Sequence, residues 1–152
     1  MARDLGKSAE IAYNCRAWPW LLPLDRRELE IAVRAMQEHS PAPCGAIVLV
    51  DDCGIASLNK RYLGCDGPTN ILTFPDEEFG GALFLSLDAC AREARIFGQD
   101  RRAYFLRLLA HGFGHLPGFE HGPEHAAIEM ECLEAAGRAL SGINRGSLDE
   151  RG

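Results

Sequence analysis

The stretch His111-Gly-Phe-Gly-His115-Leu-Pro-Gly118-Phe-Glu-His121 holds three of the chain's five histidines. His111 and His115 stand four residues apart in a segment that reads as helix, which puts both rings on one face with Cβ atoms ~5–6 Å apart. Pro117 and Gly118 break that helix and turn the chain, so His121 can return toward the same point. Three neutral imidazoles around an open fourth position suit a catalytic zinc ion. The window predicts a site for one zinc ion with His111, His115 and His121 as ligands, inside a metal-dependent hydrolase.

The helix leading into the window carries Tyr104, Leu108, His111 and His115 on one stripe, so a single histidine there would read as an ordinary core residue. The glycines argue for more. Gly112 and Gly114 each cost ~1 kcal/mol relative to alanine in a helix interior. Their presence makes sense where another segment or a substrate must come close to the helix backbone.

Outward from the window, Asp100 caps the histidine helix, and Asp88 is expected to cap a preceding helix that reaches Phe97 and closes at Gly98. Upstream of that, Ala82 to Leu87 and Thr69 to Phe74 read as strands, with Gly80-Gly81 suggesting a tight antiparallel hairpin between them. Ile55 to Leu63 reads as a short helix and Gly45 to Val50 as a strand covered on both faces, because its apolar run is nearly continuous. Asp25 and Glu28 form a capping box for a helix to His39, after an aromatic loop at Trp18 to Pro23 and an opening strand at residues 9–15. Downstream, Glu124 to Leu140 is amphipathic, and the polar tail 141–152 is expected to be loose. The pattern predicts a single α+β domain, 1–152, with a small mixed four-stranded sheet packed with about five helices.

Composition narrows the function. The balance of 47% hydrophobic and 25% charged residues is that of a soluble globular domain. With no apolar run of the ~20 residues that a membrane helix needs and no secretion signal, the expectation is a cytoplasmic protein without membrane partners. The six cysteines are widely and irregularly spaced without a Cys-x-x-Cys pair, and read as small buried hydrophobes rather than disulfides or zinc ligands. A net charge of −6 speaks against broad nucleic-acid binding, so DNA is not expected and any RNA partner needs a local patch.

The spacing His-x-x-x-His-x-x-Gly-x-x-His equals that of metzincin proteases, whose general base follows the first histidine. Gly112 occupies that position, which disfavours peptide hydrolysis. The fuller string His111-Gly-x-x-His115-Leu-x-Gly118-Phe-Glu-His121 resembles the signature of the YbeY family of single-strand-specific endoribonucleases, His-Gly-x-Leu-His-Leu-x-Gly-Tyr-Asp-His. A second block, Asn59 with Tyr62, Gly64, Asp66, Thr69-Asn70-Ile71-Leu72-Thr73-Phe74, is similar to that family's Asn-x-x-Tyr-Arg-Gly-x-Asp-x-x-Thr-Asp/Asn-Val-Leu segment. The resemblance runs from about Ile11 to Leu140. It implies zinc on the three histidines, action on single-stranded ribosomal RNA at the 3′ end of 16S rRNA, the small ribosomal subunit as partner, and a role in ribosome quality control.

This chain departs from the family pattern at Leu63, where the family has an arginine near the metal that handles phosphate, and at Ala82 and Glu120. No residue declares itself as general base; Glu120 also reads as an orienting partner for a histidine. Candidate substrate contacts are Lys60, Arg61, Thr69 and Asn70, with Arg92, Arg95, Arg101, Arg102 and Arg107 as further cations, all of which also fit solvated faces or turns. His39 and His125 are expected at the surface. Beside the endoribonuclease stand two alternatives: a zinc-containing ribosome-associated factor that cleaves weakly, and a metal hydrolase with another small substrate.

Overall fold

The computed structural model describes residues 9–14, 21–118 and 122–149, the last six of these as backbone only. In chain order the elements are β1 (Glu10–Asn14), α1 (Arg26–His39), β2 (Cys44–Val50), α2 (Asp52–Leu63), β3 (Ile71–Phe74), β4 (Gly81–Ser86), α3 (Leu87–Ile96), α4 (Arg101–His115) and α5 (Pro123–Asp149). The strands lie in the order β1-β2-β4-β3. β1, β2 and β4 run parallel, and β3 pairs antiparallel with β4 at the edge. The α+β class, the mixed four-stranded sheet and the five helices agree with the sequence reading.

Local chemistry starts the helices. Asp25 accepts from the Glu28 amide while the Glu28 side chain accepts from the Asp25 amide, completing the capping box of α1. Asp51 caps α2 through the Gly54 amide at 2.7 Å, and Asp100 caps α4 through the Ala103 amide at 2.9 Å. The cap of α3 is Ser86, which accepts from the Ala89 amide, rather than the expected Asp88. Asp88 turns instead to the Asp52 amide at 2.9 Å.

The central strand β2 is covered on both faces, as its apolar run implied. Ile47 and Leu49 join Leu83 and Leu85 of β4 in the main core, roofed by Leu29, Val33 and Met36 of α1, Phe105, Leu109 and Phe113 of α4, and Cys132 and Ala136 of α5. Val50 points the other way, into a smaller cluster with Ile55 and Leu72 against which Leu58, Phe74 and Phe84 pack.

Three expectations change. β3 and β4 are antiparallel neighbours, but their connection is not a two-residue hairpin: residues 75–80 form the loop, with Asp76 accepting from the Glu78 and Phe79 amides, and Gly81 already belongs to β4. α5 does not stop at Leu140. It runs to Asp149, because Ile143 still packs on the core and no proline interrupts the stretch, so 141–149 is helix rather than a loose tail. Of the cysteines, Cys44, Cys90 and Cys132 are buried as expected, and burial pushes each thiol up to about 12. Cys53 and Cys65 are exposed, since one starts α2 and the other lies past its C-terminus. Cys15 and Trp18 to Trp20 of the expected aromatic loop lie outside the described residues.

Candidate metal centre

α4 delivers the first two histidines from its last two turns. Phe105, Leu109 and Phe113 anchor one side of the helix in the core with no exposure, which sets its rotation and aims His111 and His115 at the rim beside β3. Their Nε2 atoms lie 3.2 Å apart. Two imidazoles bound to one zinc at ~2.0–2.1 Å with a tetrahedral angle place their nitrogens ~3.3 Å apart, so the pair is already spaced as one edge of a zinc site.

The outer nitrogen of the first histidine is engaged as a ligand's should be. Glu129 Oε2 lies 3.3 Å from His111 Nδ1. A carboxylate only accepts, so this contact puts the proton on Nδ1 and leaves the Nε2 lone pair facing His115. Sequence reasoning missed Glu129, although it stands four residues after His125 on the helix that follows the window.

His125 is the main correction. It is 3% exposed rather than at the surface. Its ring centroid lies 4.7 Å from that of His111 and 4.1 Å from that of His115, and its Nε2 contacts the His111 carbonyl at 3.2 Å, where it must be the donor. Its Nδ1 lies 3.7 Å from Glu129. The reason lies in α5, whose buried face carries His125, Cys132, Ala136 and Leu140 at helical spacing. That stripe was readable in the sequence and marks His125 as inward-facing. His39 is exposed, as expected.

The two glycines make the approach possible. A Cβ on Gly114 would come within 2.8 Å of the His125 ring, and one on Gly112 within 2.6 Å of Ile71 Cδ1 and 3.2 Å of Leu83. One admits the third imidazole and the other lets α4 sit on the sheet. His111, His115 and His125 offer ligand nitrogens all within 4.8 Å of one another, so they form a possible metal site. His121 lies outside the described residues, as does Glu120.

Beside the histidines opens a cavity of about 420 Å³, lined by His111, His115, Asn70, Thr73, Pro75 and Leu63 among others. Thr73 was not anticipated as a lining residue; its hydroxyl donates to the Gly112 carbonyl at 3.3 Å and ties β3 to the histidine helix. Asn70 is at the wall, but its amide nitrogen donates to Glu93, which also accepts from the Tyr104 hydroxyl at 2.6 Å. Burial, and after it the hydrogen bond to Glu93, pushes the Tyr104 hydroxyl well above its usual range.

The expected cation patch is mostly committed elsewhere. Lys60 pairs with Asp66 at 3.3 Å, Arg92 with Asp52 at 2.8 Å, Arg102 with Glu28, and Arg101 donates to the Leu21 carbonyl. Arg107 donates to Gln99. Arg61 lies with its guanidinium carbon 5.4 Å from the Tyr62 ring centroid. Of the four substrate candidates only Asn70 is among the residues lining the cavity; Lys60, Arg61 and Thr69 are not.

Comparison with known proteins follows the same outline. Residues 27–139 match the family model described as Endoribonuclease YbeY. The endoribonuclease YbeY of Nitratidesulfovibrio vulgaris is 39% identical over 147 residues, covering 80% of this chain and 90% of that protein. Its counterpart in Paramagnetospirillum magneticum is 36% identical over 153 residues, covering 89% and 93%. A solution structure from Thermotoga maritima superposes with a TM-score of 0.58 at 23% identity, over 93% of this chain and 95% of that one, and so shares the fold. With most of its length matched by the family model and by relatives above 30% identity, the chain belongs to the endoribonuclease YbeY family.

Proposed function

We propose that this protein is a zinc-dependent endoribonuclease that cuts single-stranded RNA in 16S rRNA 3′-end maturation and ribosome quality control, in the cytoplasm and in contact with the small ribosomal subunit. The observation that carries the metal part is the 3.2 Å separation of the His111 and His115 Nε2 atoms, with Glu129 holding the outer nitrogen of His111. His111, His115 and His121 are assigned as ligands, the last on the motif. A bound zinc would supply a water of lowered pKa and polarise a phosphoryl oxygen. Around it, Glu129 orients the first ligand, His125 steadies the carbonyl of the same residue, and the cavity between Leu63 and the histidines receives the RNA backbone.

Metal analysis of purified variants tests the assignment. His115→Ala and His121→Ala are expected to lose bound zinc, whereas His125→Ala keeps it with weaker affinity. Full zinc in His121→Ala together with its loss in His125→Ala would replace the third ligand by His125. A chelator is expected to stop cleavage of single-stranded RNA.

Leu63 favours a second reading, a factor that cleaves weakly. It lines the cavity, 56% exposed, where the resemblance implies a phosphate-handling arginine, and neither Lys60 nor Arg61 lines the same wall. A Leu63→Arg variant is expected to raise turnover by roughly tenfold or more, since a preorganised cation acts most strongly where transition-state charge develops. An unchanged rate would show that this position does not limit cleavage.

A further inference from the structure

We infer that the ring of Tyr62 is a stacking platform for one unpaired nucleobase of the RNA strand that enters the histidine cavity, a role that rests on the endoribonuclease reading. Tyr62 occupies the last turn of α2 and is 57% exposed. The ring is nevertheless held firmly. Phe74 meets it edge-on with centroids 5.3 Å apart, and Phe84 meets Phe74 edge-on at 5.6 Å. This three-ring ladder spans from the sheet to solvent, so the outermost ring is fixed while more than half of it stays exposed.

The ladder and the cavity share their frame. Phe74 lies on β3 between Thr73 and Pro75, both of which line the cavity, and the residue after Tyr62, Leu63, lines it too. A strand with its backbone at the histidines therefore passes within reach of the ring. Arg61 lies over one face of the ring, its guanidinium carbon 5.4 Å from the centroid, and so backs the ring with a cation while a base stacks on the other face.

Charge explains why a ring is needed. The chain carries a net −6, and Lys60, Arg92 and Arg102 are paired with carboxylates of the protein itself. Long-range attraction cannot supply the affinity, whereas base–aromatic stacking works on any base and is insensitive to net charge. A base inside a duplex has no free face to offer, so such a platform selects unpaired nucleotides.

The test is fluorescence anisotropy of zinc-loaded protein with a labelled, non-cleavable 2′-O-methyl single-stranded oligonucleotide. Tyr62→Ala and Tyr62→Leu are expected to weaken binding by roughly tenfold, the loss of one stacked base, while Tyr62→Trp binds as the parent does. Zinc content should be the same in all variants, and the urea midpoints of Tyr62→Ala and Tyr62→Leu should fall alike, by the loss of one edge-on ring contact. An abasic position placed along the strand should cost the parent the same factor at one site and cost Tyr62→Ala nothing there. Parent-like binding by Tyr62→Ala, or Tyr62→Leu equal to Tyr62→Trp, overturns the platform and leaves the nuclease reading intact. A parent protein that neither binds nor cleaves single-stranded RNA overturns both.

Discussion

On the histidine side of the sheet α1, α4 and α5 stack into a continuous apolar layer, whereas on the other side α2 is, among the described helices, the one that packs on the smaller cluster. The thick side buries Phe105, Leu109 and Phe113 of α4 completely, and that helix carries the metal-ligand candidates at its rim. The thin side leaves Tyr62 and Leu63 more than half exposed and is fastened at its edge by polar groups: Asp52 with Arg92, Ser86 and Asp88. The difference teaches a division of labour. Side chains that are to hold a metal ion must be fixed to fractions of an ångström, which suits the candidate histidines to the side with the deepest packing, while a surface for a variable strand can be left open where packing is shallow.

The largest expected effect comes from breaking the thick side. Phe113 has no exposed surface and lies between the two histidines in sequence. Phe113→Ala removes a buried ring and leaves a cavity, at a cost of about 3–5 kcal/mol. Urea unfolding should show that loss, with weaker zinc binding accompanying it. Tyr62→Ala on the thin side should cost no more than about 1.5 kcal/mol, the loss of one edge-on ring contact with Phe74. Equal losses at the two positions would mean that the thin side is as tightly packed as the thick one.

Within the thick side, Glu129 separates ligand positioning from bulk packing. Its carboxylate meets His111 Nδ1 at 3.3 Å and His125 Nδ1 at 3.7 Å while making no part of the apolar core. Glu129→Ala is expected to lower zinc affinity by roughly 10–100-fold, the range for partners that orient a metal-bound imidazole. Competition with a fluorescent chelator measures this directly. Glu129→Gln, whose amide oxygen still accepts from Nδ1–H, should lose less. Equal affinity in parent and Glu129→Ala would remove Glu129 from the site.

The two sides were not equally legible in the sequence. The histidine helix was, because its i, i+4 pair and stripe of apolar residues leave one rotation possible, and the glycines between the histidines announced a close approach. What approaches was read wrongly: Gly114 faces His125, which was placed at the surface although the stripe that α5 continues through Cys132 and Ala136 marks it as inward-facing. The cations failed for a different reason. Arg92 and Arg102 find carboxylates on other helices, Asp52 and Glu28, and pairings between elements follow from tertiary placement rather than local spacing, while Lys60 meets Asp66 in the loop that follows its own helix. Strand existence and the mixed sheet came from apolar runs, while the β3–β4 connection was misjudged because Gly80-Gly81 ends a longer loop set by Asp76.

The smallest effect concerns the polar fastening of the thin side. The hydrogen bonds from Arg92, at 2.8 and 3.2 Å, hold the Asp52 carboxyl below its usual range, against a smaller opposing contribution from burial. A carboxyl whose folded-state pKa is depressed contributes stability above its unfolded value of ~3.9 and loses that contribution as pH falls through the folded value. Both side chains are partly exposed, at 49% and 33%, so solvent screens the pair and its worth is at most about 1 kcal/mol. Arg92→Ala should therefore be less stable than the parent by that much at neutral pH, and the two urea midpoints should converge as pH falls below the depressed folded value and Asp52 takes up its proton in both. The gap should also narrow in high salt. A constant gap from neutral to acid pH would show that Arg92 acts through packing of its aliphatic stem between α2 and α3, and the thin side would then be held by apolar contact after all.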